Sequence, residues 1–174
     1  MTLPTPNVPD LLLDTLRRNG RVNDTLLAAV RPEEYALQDG EGGWTVARHL
    51  SHLAAFRAGW LLEISPEHAA GLMAPFGGAN PWAWESRDPA VLGTVFREGD
   101  AAALRAVQAA LETGRSFPDP YGEGTYQSHP AHFLQHIVVH DSHHRGQVLS
   151  LLRRGGRTPQ EMDALDEHWA IWRA

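Results

Sequence analysis

The segment from Ser128 to Arg154, SHPAHFLQHIVVHDSHHRGQVLSLLRR, limits what this chain can become more than any other stretch. Six of the ten histidines fall between His129 and His144. Phe133, Ile137, His140, His144, Val148 and Leu151 recur at spacings of three and four, the period of one helix stripe. His140 and His144 stand one turn apart on that stripe, separated by roughly 40° of rotation. Such a stripe is normally apolar and faces a core. Two imidazoles within it need partners for their nitrogens, because an unpaired buried polar group is costly. A transition-metal ion is one such partner, since neutral imidazole ligates several of them.

The other segments supply a scaffold for that helix. A first helix is predicted from Asp10, an N-cap after Pro9, to about Val30, with a break or kink at Asn19-Gly20. A second, WTVARHLSHLAAFRAGWLL, is capped by Thr45 and ends near Glu63 or Ile64. Val46, His49, Leu53, Phe56 and Trp60 form its stripe, and His52 lies on an adjoining one. Residues 66–88 show turn signals, a short helix over Pro66 to Met73, and two tryptophans, Trp82 and Trp84. A third helix starts at Asp88-Pro89 and runs to about Glu112, weakened at Gly93 and Gly99, open to a break near Gly99-Asp100, and stopped by Gly114. Ser128 caps the His-rich fourth helix, and Gly155-Gly156 ends it. Thr158 to Glu161 is a capping box that opens a last short helix to about Trp172, with Leu165, Trp169 and Trp172 on one side. No strand-like alternation or internal repeat occurs. The expectation is an all-α chain: one domain over residues 1–174, a four-helix bundle with an additional short C-terminal helix.

Composition narrows the chemistry. The chain has 174 residues, 43% of them apolar and 21% charged, which is ordinary for a globular protein. It has no cysteine, so disulfides, thiolate catalysis and Cys-based zinc sites are excluded, and His, Asp and Glu remain as strong metal ligands. All fifteen basic residues are arginine, which excludes a Schiff-base lysine. The net charge of −6, with no clustered basic stripe, argues against nucleic-acid binding. Arg153, Arg154 and Arg157 read as a helix C-terminus, where the dipole favours cations. No run is long enough to span a membrane, and MTLPTPNVPD has no signal-peptide pattern, so a cytoplasmic location is expected.

A metal site of useful affinity needs a third protein ligand. His52 in the second helix is the choice, and His49, one turn earlier, is its competitor. His136, one turn before His140, is an extra ligand, an acid/base group or pocket lining. His129, His132 and His143 are expected to face solvent or loops. Asp141 and Gln147 are candidates to orient ligand imidazoles, with a solvated Asp141 the plainer expectation. Gly146 is expected at a close helix contact and Arg145 within reach of a carboxylate. Trp44 is expected as a core anchor near the site. Trp82 and Trp84 either line a substrate mouth or pack under the loop.

WTVARHLSHLAAF together with VVHDSHHRGQVLSLLRRGG resembles the DinB-like superfamily, the DinB/YfiT proteins. The family pattern places a ligand histidine eight residues after a Trp at a helix start, which falls on Trp44 and His52. Its second half is a His, three residues, then His-Arg-Gly-Gln, which falls on His140 and on His144 through Gln147. The resemblance implies a four-helix bundle holding one divalent ion, nickel, zinc, iron or manganese, on His52, His140 and His144. It also implies several chemistries. Some members resemble transferases that use bacillithiol, mycothiol or glutathione; one branch isomerises maleylpyruvate; others are called hydrolases. An ion on three neutral ligands keeps its full charge and would lower the pKa of a bound thiol or water. The expected partner is a small-molecule substrate, with a low-molecular-weight thiol as the candidate nucleophile. No residue is assigned as catalytic. The competing readings are a non-catalytic module whose metal is structural or senses stress, and a metal-free helical interaction protein forming a homodimer through its first or third helix.

Overall fold

The computed structural model describes residues 8–126 and 129–173. Its α-helices are α1 (Val8–Ala29), α2 (Val46–Ile64), the single turn α3 (Pro66–Ala69), α4 (Pro89–Thr113), α5 (His132–Arg154) and α6 (Pro159–Glu167). The remaining ordered elements are short 3-10 turns, including Pro32–Ala36, Pro81–Ala83 and His168–Arg173, and an isolated bridge joins Gln38 to Thr45. Among the described residues no helix is long and apolar enough to cross a membrane.

The helix boundaries follow local chemistry. Thr45 accepts a hydrogen bond from the Arg48 amide, and Asp88 accepts from Ala90 and Val91 ahead of Pro89. Gly114 closes α4 at φ 65°, a left-handed conformation that a side chain would resist. α1 begins two residues before the expected Asp10. The expected cap Ser128 and the side chain of Trp169 lie outside the described residues, and Ala131 is the residue that precedes α5. The last helix turns 3-10 after Glu167, where Arg18 of α1 donates to the carbonyl of Ile171 at 2.7 Å.

α1, α2, α4 and α5 form the bundle. α2 packs on α4 and α5, and α1 packs on the same two from the other side, so α1 and α2 are diagonal. Leu16, Leu53, Leu61, Leu92, Phe96, Phe133, Ile137 and Leu152 fill the space between them and are buried. Their burial is the main favourable term in the fold.

A charged network crosses this core. Arg57 of α2 grips Asp141 of α5 with two parallel bonds, Nη1 to Oδ1 at 2.7 Å and Nη2 to Oδ2 at 2.6 Å. Its Nε reaches Asp100 of α4 at 2.8 Å. From α1, Asn19 and Asn23 donate to Asp141 Oδ2 at 2.6 and 2.7 Å, and their carbonyl oxygens accept from Arg145 at 2.7 and 2.6 Å. Two arginines balance two aspartates, and all four bundle helices contribute. Arg57 and Asp141 are both completely buried. Burial opposes the charge on Asp141, but the Arg57 guanidinium outweighs it and holds the carboxyl well below the usual range.

This network corrects several expectations. Asp141 is not solvated. α1 is continuous through Asn19-Gly20, and α4 through Gly99-Asp100. The two glycines are spacers over the ion pairs: a Cβ on Gly20 would sit 2.8 Å from Asp100 Oδ2, and one on Gly99 would sit 3.0 Å from Arg57 Cβ. Gly146, by contrast, is exposed with nothing near it, so it makes no helix contact. Arg145 donates to the amide oxygens of Asn19 and Asn23 and, as expected, comes within reach of a carboxylate, Asp141 Oδ2 at 3.9 Å. Arg157 is not a free cation at a helix end; it is buried against Glu34, with Nε to Oε1 at 2.7 Å, and ties the end of α5 to the Pro32–Ala36 turn.

Removing one member of a buried pair strands the other's charge. Arg57→Leu is therefore expected to destabilise the protein by about 3–5 kcal/mol, read from urea denaturation.

Candidate metal centre

Three imidazoles meet where α2 faces α5. His52 Nε2 and His140 Nε2 lie 3.0 Å apart, and His144 completes a set whose ligand nitrogens are all within 4.8 Å of one another. With zinc–nitrogen bonds of roughly 2.0–2.1 Å, two ligands of a tetrahedral ion stand roughly 3.3 Å apart, close to the observed spacing. α5 supplies two of the three because a four-residue step returns to the same face. α2 supplies the third because Thr45 starts that helix in the register that turns His52 to α5 and Phe56 beneath it.

The donor set fits a divalent cation. His140 Nδ1 is buried with no hydrogen-bond partner, and Asp141 Oδ1 lies 3.9 Å from it. A cation on Nε2 would place the proton on Nδ1, facing that carboxylate. His144 turns Nδ1 toward His49 Nδ1 at 3.1 Å, leaving Nε2 for an ion. His144 then donates from Nδ1, and His49 accepts and keeps its own proton on Nε2. His49 is thus a hydrogen-bond partner of the set and lies outside the group that could hold an ion.

Burial lowers the pKa of His52 to about 4, and neighbouring His140 adds to the effect. Burial, with His140 and His52, lowers that of His144 to about 3. Both are neutral at pH 7, the state that ligates. Burial likewise lowers His49 and His136.

Aromatic rings fix these imidazoles. Phe56 stacks on His140 with centroids 3.7 Å apart. Trp44 lies parallel to His144 at 5.8 Å and edge-on to His52 at 5.1 Å. Trp44 is 39% exposed, so it is a wall of the site and not the expected core anchor. Arg48 sits over the Trp44 ring and donates to the carbonyls of Trp82 and Trp84 at 2.6 and 3.1 Å, holding the Pro81–Ala83 turn against α2. Trp82 comes to 6.0 Å from His52 and borders the site. Trp84 is buried against Phe76 in the core.

His136 lies beside the set, edge-on to His140 at 6.1 Å. The hydroxyl of Tyr126 is 2.5 Å from His136 Nδ1. Burial raises the Tyr126 phenol above its usual pKa, so it keeps its proton. Tyr126 was not singled out from the sequence; its only local mark is the loop that precedes the His-rich helix. His129, His132 and His143 are exposed, as expected. Gln147 meets none of the imidazoles, and its Oε1 is buried without a protein partner.

With this geometry in place, the relatives can be compared. The sequence pattern of the DinB family matches residues 4–174, and the chain belongs to that family. A crystal structure of a DinB-like protein from Bacillus cereus ATCC 10987 is similar to it, with a TM-score of 0.59, 21% identity, and coverage of 84% of this chain and 92% of that one. At that identity the likeness concerns the fold. No match occurs among curated proteins.

Two outcomes are expected. His140→Ala should lose the one bound divalent ion, whereas His49→Ala should keep the stoichiometry and lose about 10–100-fold in affinity, both by metal titration. In metal-free protein, His52 and His144 bind protons less readily folded than unfolded, where their pKa is near 6.5. Their contribution is present above that value and lost as the pH falls toward about 4, so the melting temperature should drop across this window. A variant with all three histidines replaced by alanine should drop less.

Proposed function

We propose that this protein is a divalent-metal-dependent enzyme in which His52, His140 and His144 are the metal ligands. Its reaction joins a low-molecular-weight thiol to a small electrophile, or is a related hydrolysis or isomerisation. The convergence of three imidazoles on one point, walled by Trp44, Phe56 and Trp82, carries this reading. When bound, a divalent ion on uncharged ligands keeps its full charge and supplies Lewis-acid chemistry.

The chain's own residues fill supporting roles. His49 holds the His144 tautomer through the Nδ1 contact. Asp141, anchored by Arg57, offers a carboxylate to the Nδ1 side of His140. Trp44 and Phe56 fix the ring planes and keep water from two sides of the set. With no cysteine in the chain, any thiol nucleophile must arrive as a second substrate. That requirement favours a small diffusible thiol over an enzyme-borne one.

The test uses protein loaded separately with nickel, zinc, iron or manganese. Each form is offered bacillithiol, mycothiol or glutathione with 1-chloro-2,4-dinitrobenzene, and chloride release is followed. Thiol- and metal-dependent turnover that disappears in His52→Ala is expected. Full metal occupancy without turnover on this or a wider panel of electrophiles, combined with unfolding on chelation, would favour the structural-metal module.

A further inference from the structure

Beside the three histidines lies a second polar pair that metal binding does not use. His136 is one turn before His140 on α5, and its ring is bracketed by Phe56 at 5.0 Å and Trp60 at 5.8 Å. Tyr126 reaches it from the loop before α5. That loop is built around Asp119, whose carboxylate accepts from the amides of Glu123 and Gly124 at 3.3 and 2.7 Å. The turn brings Tyr121 and Tyr126 edge-on to Trp60, at 5.7 and 5.3 Å. Tyr126 is held at φ 55°, a left-handed conformation that a bulky residue resists. Strain of this kind persists where surroundings over-determine it and clusters at functional sites.

The contact has a polarity. The Tyr126 hydroxyl is buried, and His136 is its hydrogen-bond partner among the described residues. A phenol with one partner satisfies its proton by donating. His136 Nδ1 is then the acceptor, and the ring proton sits on Nε2. Nε2 has no protein partner among the described residues, and the ring is partly exposed. A neutral N–H donor is thereby fixed one helix turn from the metal ligands, between Phe56 and Trp60.

We propose that His136, positioned by Tyr126, is a substrate-binding residue that donates a hydrogen bond from Nε2 to a carbonyl or carboxylate oxygen of a small substrate with an aromatic or otherwise apolar body. The proposal rests on the metal-enzyme reading for the identity of the site, and it adds the substrate's chemical class. The donor selects an acceptor oxygen; the flanking rings select the apolar body.

Histidine ring nitrogen NMR and benzoate titration test it, on zinc-loaded and on metal-free full-length protein, with acetate as the probe that lacks the apolar body. The expected results are a His136 ring protonated at Nε2, a shift of that resonance with benzoate, and tighter binding of benzoate than of acetate. His136→Phe should weaken benzoate about tenfold, the worth of one hydrogen bond, and weaken acetate, which shares the carboxylate, by a similar factor. Tyr126→Phe, which keeps the ring packing, should let both His136 tautomers appear and weaken benzoate by a smaller factor. His136 protonated at Nδ1, or His136→Phe binding benzoate as tightly as the wild type, overturns the proposal. Loss of zinc binding in the wild type, with benzoate discrimination intact in metal-free protein, would strike the metal reading alone.

Discussion

The two-pronged contact between Arg57 and Asp141 is the interaction on which the other features depend. It joins α2 to α5, the two helices that carry the imidazole set, and both side chains are wholly buried. Charges in a core are tolerated only when every remaining donor and acceptor is met. Asn19, Asn23, Asp100, Arg145 and the carbonyl of Leu53 meet them here. The network also fixes helix register, because one side chain from each bundle helix must arrive at the same level. Gly20 and Gly99 permit that arrival by keeping α1 and α4 clear of the ion pairs.

The same aspartate connects the core to the site. Asp141 follows His140 in sequence, so its anchorage by Arg57 holds the helix turn that presents His140. On the far side of the imidazoles the environment changes from ionic to aromatic. Phe56 stacks on His140 and Trp44 lies parallel to His144, and burial keeps His52 and His144 neutral at physiological pH. One face of the site is thus built for rigidity and the other for controlled access. The turn carrying Trp82, held by Arg48, and the loop carrying Tyr126, held by Asp119, border the accessible side.

Much of this was legible in the residue pattern. Thr45, Asp88 and Gly114 marked helix limits that the structure reproduces, because caps act locally. His140 and His144 were readable because a helical period carries side-chain direction without any tertiary information, whereas His52 lies off its helix's apolar stripe and was pointed to by the family resemblance. The buried network was readable in part and was overlooked. Asn19 and Asn23 continue the stripe of Leu16 and Leu26, and Arg57 stands four residues from both Leu53 and Leu61. A polar residue in an apolar stripe signals burial, but Asn19-Gly20 and Gly99-Asp100 carry the signature of helix breaks as well. Glycine within a helix is ambiguous in a single sequence, since a spacer and a breaker look alike until a neighbour is present.

The sequence by itself therefore determined the helices, the faces they present and the placing of His140 and His144 on one face, because each depends on spacing along one chain segment. Only the tertiary structure decided that Asp141 meets Arg57, that His49 supports His144, that Trp44 is a wall, and that Tyr126 polarises His136. Those pairings join residues distant in the chain, and their geometry depends on how helices pack, which no local period encodes.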